Sequence, residues 1–334
     1  MGQIDYETRY LIMIISSVIN GKRFPTLFKR LNWEKIFSLA ELHNVAGTVY
    51  IGLLGEEDEA SPEIRELFFE KYKKQLLLDE VYIQAEAELR EIFEKQKLHG
   101  MIFSSEPMCA LYSKREMRTK TPIEIWVENE QLFPFVNLLE GCDYEVTKLS
   151  GENEIFMERI PGVNLILYGK LPLKFLKNGR KLFPADLKMY DREPSMKYVH
   201  KLDKDLAYIY MIQRMAERYA LGQTRIFEVA DLWTLLAGSK KNIQNDNTDR
   251  MLKKLRLLNF EQCMAGLGEI WFGGQYMEEY ALYNAIEQYI FSQGRLGREE
   301  SKAILPLIEK LDTDRKKEME KARLNLKKNG RTKE

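Results

Sequence analysis

The spacing of apolar residues predicts that the chain begins as a helical segment. Residues 63–96 contain no glycine or proline, and their apolar positions recur at steps of three and four, which indicates one long amphipathic helix or two in tandem. Ser61 and Pro62, immediately before this run, are residues favoured at a helix start. Asn32 is placed to cap an earlier helix. We therefore expect residues 1–97 to form an N-terminal helical segment.

Residues 98–170 show the short, partly alternating apolar runs that are typical of strands. A helix is predicted at Gln131–Leu139, and the turn residues of Ser150–Asn153 and Pro161–Gly162 predict hairpins between the last three strands. The pattern therefore predicts an α+β fold with a small, antiparallel or mixed sheet. The predicted strands are Met101–Phe103, Ile123–Val127, Tyr144–Lys148, Ile155–Arg159 and Val163–Tyr168.

Residues 171–308 return to a helical pattern after a loop rich in lysine, proline and aspartate, which predicts a C-terminal helical bundle. Gly222 predicts the end of a helix that starts at Lys204. Thr224 is placed to cap the next helix, which we expect to end near Gly238. The remaining predicted helices are at about residues 250–267 and 275–293.

Composition and charge narrow the function classes. Lysine and arginine number 51, as do aspartate and glutamate, so a broad nucleic-acid surface is not expected. The three cysteines are scattered without metal-ligand spacing, which fits a reducing cytoplasm. The apolar run at residues 11–19 is too short to cross a bilayer and lacks signal-peptide features. We predict a cytoplasmic protein without a membrane segment, ending in a charged tail, residues 309–334, that is frayed or disordered.

The stretch Leu98–Val127 holds the most informative order of elements. A short strand runs into Ser104 and Ser105, a short helix follows, and a basic loop leads into a second strand. On this order, and on a Gly-x-x-Gly element at residues 294–297, the chain resembles the bacterial family often described as uncharacterised nucleotidyltransferases. The resemblance covers roughly residues 30–300 and implies a nucleotidyltransferase-like core between helical flanks.

The first family motif is a hydrophobic residue, then lysine or glycine, then glycine or serine. Here it reads Phe103-Ser104-Ser105. Serine keeps the backbone N–H that meets a phosphate at a helix start, but adds a side chain. The resemblance therefore implies a ligand contact at Ser104 and Ser105. The alternative is that both residues serve only as a turn and helix N-cap.

The second and third family motifs supply carboxylates for Mg²⁺ and catalysis. The Asp-x-Asp strand motif, whose alternation places both acids on one face, aligns with Pro122-Ile123-Glu124. The later catalytic aspartate aligns with Asn164, and a neutral amide is no general base. Glu124 is thus the remnant of three expected acids, with a paired structural charge as its alternative role. No catalytic residue is assigned.

Several other ionisable residues are candidates for a functional or a structural role. Arg118 falls where the family often has an arginine before the acidic strand, so it is a predicted ligand residue. Its loop, with Lys114, Arg115 and Lys120, is either solvated or an anion site. A slip in alignment would bring in Glu128, Glu154 or Glu158 as acids in place of the aligned positions. For Asp231 we expect a buried basic partner, Arg225 or Arg214, rather than catalysis. The three histidines are far apart in the sequence and are expected to be structural.

These features predict a catalytically degenerate nucleotidyltransferase-family protein that acts in nucleotide or anion binding, or in regulation. One alternative is an active Mg²⁺-dependent enzyme that transfers a nucleoside monophosphate from a triphosphate to an unidentified acceptor; the other is a protein-interaction module. The expected partner is a nucleotide or other phosphate-bearing small molecule, or a protein. No metal or cofactor is expected unless the active alternative holds. Ser104, Ser105, Glu124 and Asn164 are predicted to meet at one cleft with Arg118 at its rim.

Overall fold

The fold is that of a computed structural model, which describes residues 4–26, 29–56, 59–150, 154–172, 182–274 and 280–296, together with Ile304. The predicted tail at residues 309–334 and the predicted turn at residues 151–153 lie outside the described residues. The helices are α1 Tyr6–Ile19, α2 Trp33–Leu42, α3 Ala46–Gly52, α4 Pro62–Gln96, α5 Glu106–Cys109, α6 Leu132–Glu140, α7 Lys204–Ala220, α8 Ile226–Ile243, α9 Asp246–Leu255, α10 Leu258–Gly268 and α11 Tyr280–Phe291. The strands are β1 Gly100–Phe103, β2 Ile123–Val127, β3 Glu145–Ser150, β4 Glu154–Arg159, β5 Val163–Tyr168, β6 Asp191–Arg192 and β7 Val199–Lys201.

The seven strands form one mixed sheet in the order β3-β4-β5-β2-β1-β7-β6. Most neighbours are antiparallel, whereas β1 pairs with β7 and β2 pairs with β5 in parallel. The predicted α+β class with a small mixed sheet between helical flanks is therefore confirmed. Strands β6 and β7 were not predicted, because each is only two or three residues long in a polar region.

Helix α4 is one continuous helix, which resolves the alternative of two helices in tandem. The Ser61 hydroxyl accepts a hydrogen bond from the Ile64 N–H at 3.5 Å, and Pro62 occupies the first helical position. The helix ends where Lys97 takes a left-handed φ of 56°. Helix α4 packs against one face of the sheet. There, Phe93 of α4 stacks on Phe135 of α6 with ring centroids 4.8 Å apart.

Close packing against α4 requires a glycine at the start of β1. A Cβ at Gly100 would lie 2.3 Å from the Phe93 ring. The same face of the sheet buries Ile123, Ile125 and Leu165 in the core that α4 and α6 cover. The alternation of β2 then directs Glu124 to the opposite face.

The N-terminal and C-terminal helices share one core. Ile14 on α1 and Ile212 on α7 belong to the same buried cluster. At its edge, Arg9 pairs with Glu287 of α11 at 3.0 Å. The helical parts of the predicted segments 1–97 and 171–308 are therefore packed together rather than as separate units.

Several predicted ends in the C-terminal half are wrong. Helix α8 continues past Gly238 to Ile243. The predicted helix at residues 250–267 is two helices, α9 and α10, because Arg256 takes a left-handed φ of 61°. Asn245 and Thr248 form a reciprocal capping box that starts α9 earlier than predicted. The predicted helix at residues 275–293 is described only from Tyr280, as α11.

The predicted cap at Thr224 is also wrong. Its hydroxyl is buried without a hydrogen-bond partner. Instead, the first helical N–H of α8, from Ile226, donates to Nδ1 of His43 at 3.3 Å. A fully buried histidine from the end of α2 therefore caps a helix of the C-terminal half.

Candidate functional site

The turn after β1 places two serines in different roles. The Ser104 hydroxyl accepts a hydrogen bond from the Glu106 N–H at 3.3 Å. The Ser105 hydroxyl makes no helix-capping bond; it accepts from the Thr121 N–H at 3.5 Å and is buried. Ser105 thus occupies the N-cap position that the sequence predicted, but its hydroxyl ties the turn to the loop before β2 instead of capping the helix. Helix α5 has only four residues, too few to form an anion site at its N-terminus.

Glu124 is held by two side chains from α7. Arg214 Nη2 lies 3.0 Å from one carboxylate oxygen, and the Tyr210 hydroxyl donates to the other at 3.0 Å. Arg214 also contacts Glu217 at 2.7 Å, so its guanidinium lies between two carboxylates. Burial, and next the Glu124 charge, raises the pKa of the Tyr210 hydroxyl well above its usual range. Burial alone would lower the pKa of Arg214, but the Glu124 carboxylate reverses this and raises it. Tyr210 therefore stays neutral and Arg214 charged.

The three positions that align with the family acids lie on one face of the sheet. In the parallel pairing of β2 and β5, Glu124 lies opposite Ile166, and Asn164 comes two residues earlier on β5. Side-chain alternation therefore puts Pro122, Glu124 and Asn164 on the same side. Asn164 is exposed, and its amide donates to the Gly162 carbonyl at 3.1 Å. Of the three aligned positions, Glu124 is thus the one that carries a carboxylate.

The acids that a slip in alignment would supply lie elsewhere. Glu128 follows the far end of β2, and Glu154 lies opposite Tyr168 on the β4–β5 ladder. Glu158 lies opposite Asn164, two strands from β2 and thus about 10 Å away at the usual strand spacing. The described residues include no group of three His, Cys, Asp or Glu side chains arranged to hold a metal ion.

The placement of Arg118 differs from its predicted position at the rim of the cleft. Its guanidinium is buried, pairs with both oxygens of Asp231 at 2.9 Å and lies 4.0 Å from the Phe227 ring. The Tyr112 hydroxyl donates to the same carboxylate at 2.8 Å. The predicted burial of Asp231 with a basic partner holds, but the predicted partners Arg225 and Arg214 are wrong. Arg118 is therefore a link between the loop before β2 and α8.

Two further residues of the basic loop, Arg115 and Lys120, are paired with acids, whereas Lys114 is exposed. Lys120, with a side chain only 1% exposed, lies 2.8 Å from Asp79 and 2.9 Å from Glu106. Arg115 forms a two-pronged contact with Glu106. The Arg115 guanidinium is the main cause that lowers the pKa of Glu106 to about 2. These contacts keep Glu106 ionised and fix the loop against α4.

A cleft of about 740 Å³ opens at the end of β1 and extends along α7. Ser104, Pro122 and Glu124 line it, as do Tyr210 and Arg214. Of the predicted site residues within the described chain, Ser105, Arg118 and Asn164 are not in its lining. Of the site residues that were predicted to converge at one cleft, Ser104 and Glu124 do so.

Sequence patterns missed Arg214 as a cleft residue. Tyr210 and Arg214 are four residues apart on α7 and so share one helix face. That four-residue spacing was the available signal. The lysines at the mouth, Lys201 and Lys204, were missed because they belong to a polar stretch without periodicity.

Two histidines that are far apart in sequence are neighbours in space. His99 Nδ1 lies 2.8 Å from His200 Nε2, and the His200 Nδ1–H donates to the Tyr190 carbonyl at 3.1 Å. A carbonyl only accepts, so His99 is the donor to His200 when both rings are neutral. Burial, and next the His200 ring, lowers the pKa of His99. This pair joins β7 to the residue before β1.

None of the described helices is long and apolar enough to cross a membrane. The family model described as Uncharacterised nucleotidyltransferase matches residues 29–273. No curated protein and no solved structure matches the chain. The matched range includes the whole sheet, the serine turn and the Glu124–Arg214 pair.

Proposed function

The chain belongs to the uncharacterised nucleotidyltransferase family, and we propose that it binds an anionic ligand in its cleft without transferring a nucleotide. The observation that carries the proposal is the pairing of Glu124 with Arg214 at 3.0 Å. The carboxylate that would receive a metal ion instead neutralises a guanidinium. Of the predicted ligand residues, Ser104 remains a candidate for contact with the anion, and Glu124 lines the cleft as the partner of Arg214.

The chemistry of nucleotidyl transfer supports this reading. Two-metal phosphoryl transfer needs anionic ligands that hold Mg²⁺ and offset its charge. Pro122 has no side-chain ligand atom, and Asn164 offers a neutral amide that cannot act as a base. A guanidinium beside Glu124 also repels a divalent cation. Hard cations bind weakly where only one charged oxygen ligand is offered.

The electrostatics of the cleft favour an anion. Its three lining acids are each paired: Glu106 with Lys120, Glu124 with Arg214, and Glu193 with Arg90. Within the described chain, the lining lysines Lys201 and Lys204 have no carboxylate partner, and both are exposed. The mouth of the cleft therefore carries two exposed lysines that form no ion pair within the described residues, with Asp191 opposite Lys201 on the β6–β7 ladder.

A melting-temperature screen tests the binding. Inorganic phosphate, AMP and ATP are each added in EDTA and in Mg²⁺, because a ligand of the native state raises the melting temperature. We expect at least one of these anions to stabilise the protein equally in EDTA and in Mg²⁺. Lys201→Ala with Lys204→Ala should reduce the shift. Lys188→Ala, an exposed lysine outside the cleft lining, is the matched control.

A transfer assay tests the other half of the proposal. Incubation with each labelled nucleoside triphosphate and Mg²⁺ or Mn²⁺ should leave protein, RNA and small-molecule acceptors unlabelled. Transfer that is lost in Glu124→Ala would overturn the proposal and restore the active enzyme. Stabilisation that requires Mg²⁺ would do the same.

A further inference from the structure

Apolar side chains form most of the walls of the cleft. Half-buried side chains from β1, α5, α7 and α8 meet there, and Ala207 on α7 faces it with its surface exposed. The cleft volume of about 740 Å³ lies within the usual range for small-molecule sites, about 300–1,000 Å³. The apolar residues that matter here are Phe103, Met108, Leu202, Ala207, Met211 and Leu235.

The two tyrosine hydroxyls on these walls are already engaged. The Tyr208 hydroxyl donates to Glu261, and the Tyr210 hydroxyl donates to Glu124 at 3.0 Å. Phe103 stacks on Tyr210 with ring centroids 4.6 Å apart, which closes that ring face to a ligand. A nucleobase buried here would leave several donors and acceptors without partners, and each such loss is costly. An apolar chain carries no such groups.

The charge lies at one side of the cleft. Lys201 ends β7, and Lys204 begins α7 three residues later, so both project from the same corner. In the described part of the chain they lack carboxylate partners, whereas the lining arginines Arg90, Arg214 and Arg218 are paired with acids. The cleft thus combines an extended apolar wall with a cationic mouth.

We propose that the occupant of the cleft is a single-chain amphiphile, an apolar chain with an anionic phosphate-type head. The chain lies along Phe103, Met211 and Leu235, and the head meets Lys201 and Lys204. This inference rests on the proposed function and specifies its ligand. Lysine stems and methionines adapt to a flexible chain better than to a rigid planar base.

A chain-length series provides the test. The full-length protein is titrated by calorimetry with hexyl, octyl and decyl phosphate below their micelle concentrations, and with inorganic phosphate and AMP. Each buried methylene should strengthen binding about fourfold at full burial, at roughly 0.8 kcal/mol per methylene. We expect at least a tenfold gain for each two-carbon step. Decanol, which keeps the chain and lacks the head charge, should bind at least tenfold more weakly than decyl phosphate.

Two variants locate the site. Ala207→Trp fills the cleft from an exposed helix position and should reduce decyl phosphate affinity at least tenfold, whereas Ala87→Trp, at an exposed position of α4, should not change it. A flat chain-length series, AMP binding tighter than decyl phosphate, or an unchanged Ala207→Trp affinity would overturn the amphiphile. So would a melting temperature lowered by decyl phosphate, as a detergent would lower it. Metal-independent AMP binding with a flat series would leave the proposed function standing while this inference fails.

Discussion

Two arginine–carboxylate pairs connect the strand region to the C-terminal helices, and they differ in access to solvent. The Arg118–Asp231 pair has side chains only 5% and 9% exposed and is further held by Tyr112. The Arg214–Glu124 pair has side chains 19% and 17% exposed and faces the cleft. The same chemistry thus forms a buried structural link in one place and part of the cleft lining in the other.

The difference in exposure separates the two charged residues that the resemblance to the family singled out, Arg118 and Glu124. Arg118 occupies a position that the resemblance implies for ligand contact. Its guanidinium, however, is already in contact with the Asp231 carboxylate and the Phe227 ring. Glu124 remains in the cleft, but its charge is offset by Arg214. The cleft therefore lacks the negative field of a metal site.

Removal of one partner of the buried pair should give the largest effect on stability. Asp231→Ala leaves the Arg118 charge and the Tyr112 hydroxyl without their acceptor in the core. We expect the free energy of unfolding in urea to fall by about 3–5 kcal/mol. The double variant Arg118→Met with Asp231→Leu should recover much of this loss. A loss below about 1 kcal/mol for Asp231→Ala would show that the pair is not a structural link.

The buried side chain of His43 is neutral, in contrast to the two charged arginine–carboxylate pairs. Burial, and next the charge of Arg225, lowers the pKa of His43 to about 3. Below about pH 6.5, His43 becomes protonated in the unfolded chain but stays neutral in the folded protein. The free energy of unfolding therefore falls as the pH drops below about 6.5. Between pH 6.5 and 4.5 the loss from this group should be about 2–3 kcal/mol.

The comparison that isolates this loss is urea unfolding of the native protein and of His43→Leu across the same pH range. The leucine variant is expected to be less stable near neutrality, because the Ile226 N–H loses its acceptor. Its stability should fall less steeply with acid. Parallel pH profiles would contradict a neutral buried His43.

Neutralisation of the cleft carboxylate should cost less than loss of the buried pair. Glu124→Gln keeps one oxygen that accepts from Arg214, while its amide NH2 can donate to the Tyr210 hydroxyl in place of the second oxygen, and Arg214 retains Glu217 at 2.7 Å. We expect the free energy of unfolding to fall by about 1–2 kcal/mol, at the low end for hydrogen bonds to charged groups. Anion binding in the melting-temperature screen should be kept or strengthened, since the cleft gains positive charge. Loss of anion binding would show that Glu124 contacts the ligand itself.

The features that local sequence signals predicted are those that local interactions determine. Ser61 and Pro62 predict the start of α4, and alternation along β2 predicts that Glu124 faces away from the Ile123 and Ile125 core. The resemblance to the family also implied the positions on the open face of the sheet. The serine turn was located, although the separate roles of its two hydroxyls depend on Thr121, sixteen residues away.

The partners that decide the site are distant in sequence, so local signals do not identify them. Arg214 meets Glu124 across 90 residues, and Arg118 meets Asp231 across 113. His99 and His200, 101 residues apart, form a direct hydrogen bond that no spacing rule indicates. Each of these contacts depends on how the C-terminal helices and the β7 edge pack on the sheet. The same packing places Lys201 and Lys204 at the cleft mouth.

The smallest effect is expected from restoring an acid at the third family position. Asn164→Asp is exposed and loses only one donor to the Gly162 carbonyl, so the free energy of unfolding should change by less than about 0.5 kcal/mol. Calorimetry should detect no gain in Mg²⁺ affinity, because Glu124 still neutralises Arg214 rather than a metal ion. The matched combination adds Pro122→Asp and Arg214→Gln, which supplies three acids on one face and removes the competing guanidinium. Mg²⁺ binding in the combination but not in Asn164→Asp would identify the Arg214 pairing as what separates this cleft from a metal site. Strong Mg²⁺ binding by the single variant would contradict that conclusion.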